Sequence, residues 1–398
     1  MTARPFGTSD RLRPFGESVF ATISRLAAQH GAVNLGQGFP NFDGPEFVKD
    51  AAIRAIREGH GQYARTFGLP EVTRAVAARF RATSGVEVDP DAEVTVTSGC
   101  TEAIAAVMLG LVNPGDEVVL VEPFYDSYPA CVAMAGGAVR TVRLRAPDFA
   151  FPLEDLRKAV GPRTKAILVN TPHNPLGRVL TRTELEGIAA IARAADCLVI
   201  SDEVYEEIWY GEPHLSISTL PGMRERTVVL SSLGKTFSLT GWKIGWSIAP
   251  PALTAGIRAA HQFLTFCSAT PLQRASVDAL SAPRAYYEGL RADYRARRDL
   301  LLAELRGAGL DPYEPEGSYF VVAPHAGLGF AGDVEFAMHL VENVGVACIP
   351  CSAFHMPGPD GRKDAEARSL VRFAFCKTPE TLRAAGERLR SMGYVGRS

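Results

Sequence analysis

Residues 227–246 read TVVLSSLGKTFSLTGWKIGW. The first four residues form an apolar run of β-branched character, which predicts a buried strand. Small residues and one lysine, Lys235, follow this strand. A lysine in such a partly desolvated position holds its proton less tightly, so its pKa falls and the amine can attack a carbonyl. A solvated loop lysine is the alternative, because most lysines lie on protein surfaces.

From residue 93 onward, short apolar strand patterns alternate with helical patterns. Strands are predicted over residues 94–97, 117–121, 165–170 and 197–200. Such alternation predicts an α/β fold, in which a mostly parallel sheet is covered by helices on both faces. Ligands bind beyond the carboxyl ends of the strands in these sheets. Candidate ligand-binding residues follow those ends, namely Thr101, Tyr125, Asn174, Asp202 and Lys235.

A chain of 398 residues is too long for one ordinary core and predicts more than one domain. An N-terminal arm and a helix over residues 18–29 are expected to pack on the smaller domain, within segment 1–45. Residues 46–283 are expected to form the large domain. Residues 284–398 are expected to form the small C-terminal domain, which an arginine-rich amphipathic helix over residues 285–307 joins to the large one.

The composition predicts a cytoplasmic, globular enzyme. The chain is 46% hydrophobic and 22% charged, and its net charge of −2 disfavours nucleic acid or an anionic membrane as a partner. The polar start predicts no secretory signal, and no apolar run is long enough to predict a membrane span. Seven scattered cysteines fit a reducing compartment. Cys348 and Cys351 are interpreted as structural thiols rather than half of a zinc site, so no metal is expected.

Three further features of the sequence are suited to ligand binding. Ser98-Gly-Cys-Thr-Glu102 joins a strand to a helix, where free N–H groups and the helix dipole favour an anion, although an ordinary N-cap at Thr101 is the alternative. The turn over residues 33–40 contains two glycines that can let the backbone approach a ligand or form a plain tight turn. Arg372 lies in a predicted strand on the face opposite Val371, where it needs an anionic partner such as a carboxylate.

Asp202 ends a buried strand, so its charge requires a cation nearby, and an ion pair with Lys235 is the simple interpretation. A bound heteroaromatic phosphate ester accounts for more of the candidate residues. Asp202 would keep a pyridine nitrogen protonated, and Lys235 would form a Schiff base with an aldehyde. Asn174 and Tyr205 would bind the phenolic oxygen, and Tyr125 would stack on the ring. The phosphate would lie at Cys100, Thr101, Ser232 and Lys243. These residues together indicate pyridoxal 5′-phosphate.

A nucleotide site is the competing interpretation. Leu198-Val-Ile-Ser-Asp202 is similar to a Walker B strand, and Gly234-Lys-Thr236 is similar to the end of a P-loop. A P-loop requires a glycine five residues before Gly234, where this chain has Val229. The aspartate strand also precedes the lysine loop, opposite to the usual order. Both observations disfavour a nucleotide.

The combination of motifs resembles the class I, fold type I pyridoxal-phosphate aminotransferases over essentially the whole chain. The motifs are Asn170-Thr-Pro-His-Asn-Pro-Leu-Gly177, Ser201-Asp-Glu-Val-Tyr205 and Ser232-x-x-Lys-x-Phe-x-x-Thr-Gly-Trp-Lys243. Residues 62–68 and 122–128 are most similar to the kynurenine aminotransferase, glutamine transaminase K and cysteine-S-conjugate β-lyase group. Bacterial methionine and N-succinyldiaminopimelate aminotransferases are near neighbours.

The resemblance implies a large domain with a mostly parallel seven-stranded sheet between helices, and a smaller α/β C-terminal domain. It also implies ping-pong transamination of a large neutral, aromatic, sulfur-containing, glutamine-type or kynurenine-type amino acid. Lys235, Tyr205 and Asp202 would be catalytic, with Lys235 moving the α-proton. Arg372, assisted by Asn174 and the Gly38 backbone, would bind the substrate α-carboxylate. Tyr63 would reach the phosphate of a neighbouring subunit, which implies a homodimer.

The sequence determines the substrate less closely than the cofactor and the reaction. Phe15, Phe20, Tyr63 and Tyr125 are expected to line a pocket for large apolar or aromatic side chains, and no second arginine is assigned to a dicarboxylate. A C–S β-lyase on the same cofactor and an N-succinyldiaminopimelate aminotransferase are the alternatives. A non-catalytic ligand-binding or regulatory protein is disfavoured, because the catalytic residues are complete and no DNA-binding extension is seen.

Overall fold

The computed structural model describes residues 7–358 and 360–394. Its strands form three sheets. The strands are β1 (Val33–Asn34), β2 (Val94–Thr97), β3 (Glu117–Glu122), β4 (Ala138–Arg143), β5 (Thr164–Asn170), β6 (Leu198–Asp202), β7 (Thr227–Ser232), β8 (Gly245–Ile248), β9 (Phe320–Pro324), β10 (Val346–Ala347), β11 (Ile349–Pro350) and β12 (Leu370–Ala374).

The α-helices occupy most of the chain between the strands. They are α1 (Val19–Gln29), α2 (Glu46–Arg57), α3 (Pro70–Ser84), α4 (Cys100–Leu111), α5 (Ser127–Ala135), α6 (Leu153–Ala159), α7 (Arg182–Ala194), α8 (Leu233–Thr236), α9 (Pro251–Leu264), α10 (Thr270–Leu280), α11 (Arg284–Gly307), α12 (Asp333–His339) and α13 (Pro379–Arg390). In the described part of the chain, none of the helices is both long and apolar enough to cross a membrane.

The seven-stranded sheet has the order β2-β8-β7-β6-β5-β3-β4 and is parallel except for β8, which confirms the predicted fold class. Two of its strands were not recognised in the sequence. β4 is an edge strand with several exposed residues, so its pattern is too polar for a buried strand. β8 is four residues long and contains Gly245 and Ser247, which weaken the apolar pattern of a buried strand.

Parallel pairing brings the ends of β5, β6 and β7 to the same edge of this sheet. Asn170, the last residue of β5, pairs with Asp202, the last residue of β6, and the Asn170 side-chain amide donates to the Asp202 carbonyl oxygen at 2.9 Å. Asp202 pairs in turn with Leu230 of β7, two residues before Ser232. Three predicted site segments therefore start from adjacent strand ends.

The remaining strands lie outside the seven-stranded sheet. β9, β11 and β12 form an antiparallel sheet with the order β11-β12-β9, and β1 pairs with β10 in parallel. Residues 346–350 are divided at Cys348 between two strands. β10 pairs with β1, and β11 pairs with β12.

The N-terminal helix contacts the C-terminal part of the chain. Ile23 and Ala27 of α1 are buried in the same apolar cluster as Val341, Ala347 and Ile349. This contact and the β1–β10 pair support, as a proposal, the division into an N-terminal segment that packs on the small domain. The strands of the large sheet all fall between residues 94 and 248, within the predicted large domain.

Helices α4 and α9 cross at a pair of glycines, Gly110 and Gly256. A Cβ atom at Gly110 would overlap the carbonyl oxygen of Gly256, and one at Gly256 would lie 2.7 Å from the carbonyl oxygen of Gly110. Because both obstacles are backbone atoms, neither helix can accommodate a side chain without moving. This crossing matters for the site because α4 starts at the predicted anion cradle.

We expect Gly110→Ala to lower the free energy of unfolding by about 2 kcal/mol, because overpacking would push α4 and α9 apart. The midpoint of urea unfolding measures the effect. Gly289→Ala is the matched control, since a Cβ at this exposed position in α11 meets nothing within 4 Å. There the loss of a helical glycine should stabilise the protein by about 1 kcal/mol. Equal midpoints for both variants would contradict the close crossing.

Candidate active site

A cavity of about 390 Å³ opens at the carboxyl edge of the seven-stranded sheet. It brings together nearly all of the predicted site residues, although they come from segments far apart in the sequence. The predicted residues that line it are Gly38, Cys100, Thr101, Tyr125, Asn174, Asp202, Tyr205, Ser232, Lys235, Lys243 and Arg372.

Lys235 lies in α8, the single helical turn that follows β7. Its Nζ atom is 3.5 Å from the carbonyl oxygen of Gly38 and lies 5.5 Å and 5.7 Å from the ring centroids of Tyr205 and Tyr319. Burial lowers the pKa of the Lys235 amine, which favours the neutral, nucleophilic form. This agrees with the prediction from the sequence and not with a solvated loop lysine.

Asp202 presents a buried carboxylate to the cavity. The phenol of Tyr128 donates to Oδ2 at 2.7 Å, while the Val204 N–H and the Cys100 thiol approach Oδ1 at 3.3 Å and 3.7 Å. Burial raises the pKa of the Asp202 carboxyl, and the Tyr128 hydrogen bond opposes that rise. Sequence reasoning did not assign Tyr128 to the site. The available signal was that Tyr128 lies three residues after Tyr125, in the aromatic stretch that follows β3.

Arg372 of β12 is almost completely buried, with 1% of its surface exposed. Nη1 donates to Asn174 Oδ1 at 2.9 Å and Nη2 to the Gly36 carbonyl at 2.5 Å, and both acceptors are uncharged. Its Nε has no hydrogen-bond partner among the described residues. Burial lowers the pKa of the guanidinium to about 10. The guanidinium carbon lies 4.1 Å from the Phe320 ring centroid. A ligand carboxylate would complete this arrangement.

The N-terminus of α4 forms an open cradle for an anion. The N-cap residue is Gly99, whose φ of 79° suits glycine, and no side chain caps the helix, so an N-cap at Thr101 is wrong. A Cβ atom at Gly99 would lie 3.0 Å from the Nζ of Lys243, and one at Gly245 would lie 2.6 Å from the Gly99 carbonyl carbon. The absence of side chains leaves the N–H groups of Cys100 and Thr101 free to face a phosphate.

The turn around Gly38 also serves the cavity. The Tyr319 phenol donates to the Gly38 carbonyl at 2.7 Å, and a Cβ atom at Gly38 would lie 2.6 Å from Cζ of Phe320. Glycine is therefore required here by close packing. The buried amine of Lys377 donates to the carbonyls of Gln37 and Phe39 and fixes the backbone on either side.

Two residues predicted to contribute do not line the cavity. Tyr63 has 84% of its surface exposed and packs edge-on against Phe266, with ring centroids 5.1 Å apart. Phe15 also lies outside the lining, although Phe20 and Tyr125 are part of it. Phe15 precedes α1 and is partly buried outside the cavity.

The donor set fits pyridoxal phosphate. An amine, a carboxylate and an uncapped helix N-terminus face one cavity, so one bound molecule could meet all three. Bound pyridoxal phosphate supplies an electron sink for the pair left when a substrate Cα–H bond breaks. Together with the mostly parallel sheet, these features define a pyridoxal-phosphate-dependent enzyme of fold type I.

Comparison with known proteins identifies the family. Residues 31–389 match the family described as aminotransferase class I and II, and the chain belongs to it. The probable N-succinyldiaminopimelate aminotransferase DapC of Mycobacterium tuberculosis is 49% identical over 389 residues, which cover 96% of this chain and 98% of the relative. The kynurenine–oxoglutarate transaminase of Dictyostelium discoideum is 38% identical and 96% of each chain is covered.

A solved structure agrees with these relationships. That of the methionine aminotransferase of Escherichia coli superposes with a TM-score of 0.91 at 38% identity, covering 97% of this chain and 100% of the other. The predicted family, fold class and cofactor are confirmed. This protein is a pyridoxal-phosphate-dependent aminotransferase that moves an amino group between an amino acid and a 2-oxo acid.

We expect Lys235→Ala to lower the transamination rate by at least about a thousandfold, because the variant lacks the residue predicted to be both the nucleophile and the proton carrier. Borohydride reduction followed by peptide mapping should fix the cofactor to Lys235 in the wild type and to no lysine in the variant. Lys243→Ala is the matched control. It should keep the fixed cofactor on Lys235 while binding it about tenfold more weakly. A cofactor fixed to another lysine would contradict the assignment.

Proposed function

We propose that this aminotransferase acts on a large L-amino acid whose α-carboxylate is bound by Arg372. The observation that carries this proposal is the buried guanidinium, whose Nε is unpartnered among the described residues and whose two hydrogen-bond acceptors are neutral. A bidentate carboxylate matches the fork of an arginine and compensates for its desolvation. Asn174 positions the guanidinium through its side-chain oxygen, and the Gly38 turn bounds the same part of the cavity.

Lys235 is the proposed acid and base. Its lowered pKa would let the neutral amine take the proton from the substrate Cα and then deliver it to the C4′ carbon of the cofactor. Asp202 is proposed to hold a proton on the cofactor's ring nitrogen, while Asn174 and Tyr205 bind the phenolic oxygen. These contacts would fix the orientation of the cofactor, so that the Lys235 amine approaches one face of its ring.

The remaining proposed contacts concern the cofactor's other groups. The phosphate group is proposed to lie on the N–H groups of Cys100 and Thr101, with Ser232 and Lys243 as further donors. The Tyr125 ring is proposed to stack on the cofactor. Burial raises the pKa of Tyr125 to about 12, so its phenol remains neutral and can donate a hydrogen bond at physiological pH.

An N-succinylated diamino acid is the first substrate candidate. The 49% identity to the probable N-succinyldiaminopimelate aminotransferase supports it. Ser18 and Gln37 also line the cavity and offer hydrogen bonds to an amide-bearing side chain. Methionine or an aromatic amino acid is the second candidate. Phe20 and Phe39 support it because they give the same cavity apolar walls.

A single-turnover screen of amino donors, followed by the change in cofactor absorbance, tests this proposal. We expect N-succinyldiaminopimelate to react at least about tenfold faster than methionine, phenylalanine or glutamine at equal concentration. Faster reaction with methionine or phenylalanine would select the second candidate. Release of pyruvate and ammonia from a cysteine conjugate without an oxo-acid acceptor would instead identify a β-lyase.

Arg372→Met gives the matched test of the carboxylate site. It should raise KM for every amino donor by about a hundredfold, because a charged, bidentate contact to each substrate is lost. Cofactor affinity should stay unchanged, since Arg372 is not proposed to touch the cofactor. An unchanged KM for amino donors would contradict the proposed carboxylate site.

We also propose a homodimer in which Tyr63 completes the partner's site. Tyr63 and Phe266 form an exposed aromatic pair on one surface. A groove between α4 and α9 adds further apolar surface, including Phe263, of which 86% is exposed. Exposed apolar surface of this kind is typical of protein interfaces.

A cytoplasmic location is proposed as well, supported by seven cysteines that are all free thiols.

Co-expression of two differently tagged variants tests the role of Tyr63. In a mixed dimer of Lys235→Ala and Tyr63→Ala subunits, one site combines an intact Lys235 with an intact Tyr63 from the other subunit. Activity should therefore exceed that of both parents and approach about a quarter of wild type in a random mixture. The same experiment with Lys243→Ala in place of Tyr63→Ala should give no activity above that of the Lys243→Ala parent, because Lys243 and Lys235 line the same subunit's cavity. No recovery with Tyr63→Ala would contradict the proposal.

A further inference from the structure

Tyr128 and Asp202 form a buried pair, and Tyr128 has no role in the chemistry proposed above. The two side chains are 2% and 4% exposed, and the phenol donates to Asp202 Oδ2 at 2.7 Å. Tyr128 belongs to α5, whereas Asp202 ends β6, so the bond joins a covering helix to the central sheet. Tyr128 itself also lines the cavity.

The carboxylate has few other contacts to hold it. Oδ1 receives the Val204 N–H at 3.3 Å and the Cys100 thiol at 3.7 Å, which are a long hydrogen bond and a weak donor. The phenol is therefore the strongest donor to this carboxylate among the described residues. A hydrogen bond to a buried carboxylate stabilises its charged form and lowers its affinity for a proton.

Burial also raises the pKa of Tyr128 well above its usual range. The phenol therefore stays protonated and acts as a donor at every physiological pH. The neighbouring charge of Lys235 favours the ionised form of Asp202 too, but as a smaller influence than the Tyr128 hydrogen bond. The Cys100 thiol, whose pKa is also raised by burial, remains a neutral neighbour.

We propose that Tyr128 is a positioning residue that keeps Asp202 ionised and oriented, so that the shared proton stays on the cofactor's ring nitrogen rather than on Asp202. A protonated ring nitrogen withdraws electrons more strongly, so Tyr128 would govern how effective the cofactor is as an electron sink. The inference rests on the proposed contact between Asp202 and the ring nitrogen.

A double-mutant cycle on cofactor affinity tests the pair. Tyr128→Phe removes only the hydroxyl and should weaken cofactor binding by about tenfold in equilibrium titration of the apoenzyme. Asp202→Asn should weaken it more. In the Asp202→Asn background, Tyr128→Phe should have no further effect, because the carboxylate on which the phenol acts is gone.

Tyr210→Phe is the matched control. The Tyr210 phenol is also buried, and it donates to the Ser318 carbonyl at 2.6 Å. Its removal should lower thermal stability to a similar extent while leaving cofactor affinity unchanged, since Tyr210 does not line the cavity. This control separates loss of a buried tyrosine hydrogen bond from loss of the contact with Asp202.

The protonation state gives a second readout that a merely structural role would not change. With cofactor labelled with ¹⁵N in the ring, the NMR shift of the wild-type holoenzyme should be that of a protonated pyridine. In Tyr128→Phe the shift should move toward the value of an unprotonated ring. The Tyr210→Phe shift should equal that of wild type.

The outcomes are separable. If Asp202→Asn leaves cofactor affinity and the ¹⁵N shift unchanged, the proposed contact of Asp202 is wrong. If Asp202→Asn changes both but Tyr128→Phe changes neither, only the role of Tyr128 is overturned. Additive effects in the double mutant would also overturn it, because they would show that the phenol acts independently of Asp202.

Discussion

The carboxylate of Asp202 is buried at the end of β6, where an uncompensated negative charge is costly. Tyr128, the Val204 N–H and the Cys100 thiol reduce that cost by donating to it, and a cationic ligand ring would reduce it further. The surroundings of the carboxylate reflect its need for hydrogen-bond donors. Strand β6 carries the charge to the sheet edge, and α5 supplies its strongest donor.

Arg372 is a buried positive charge, and its burial is costly for the same reason. It comes from β12, yet its guanidinium contacts the loop after β5 through Asn174 and the N-terminal turn through Gly36. Three segments far apart in the sequence therefore converge on one desolvated cation. Because their acceptors are neutral, the guanidinium remains able to bind an anion from outside, and the cost of burial is offset when a substrate arrives.

Much of this site could be predicted from the sequence because its residues follow strand ends. Asp202 ends one strand, and Lys235 and Asn174 follow the ends of two others within one turn of chain. Parallel strands bring such ends to one edge. The prediction of site residues failed where tertiary packing determines which side chains reach the cavity. Phe15 is aromatic, as a pocket residue would be, but it lies outside the cavity. Tyr128 contributes through its hydrogen bond to Asp202, which joins a helix to a strand and is not visible in any local sequence pattern.

The sequence by itself determined the α/β class, the strands of buried apolar character and the identity of the reactive side chains, because these depend on local periodicity and residue chemistry. Only the tertiary structure decided that β8 runs antiparallel, that residues 346–350 divide between two sheets, and that Gly99 rather than Thr101 is the N-cap of α4. These features depend on pairing partners and close backbone contacts. Such contacts join residues distant in the chain, and no short stretch of sequence specifies them.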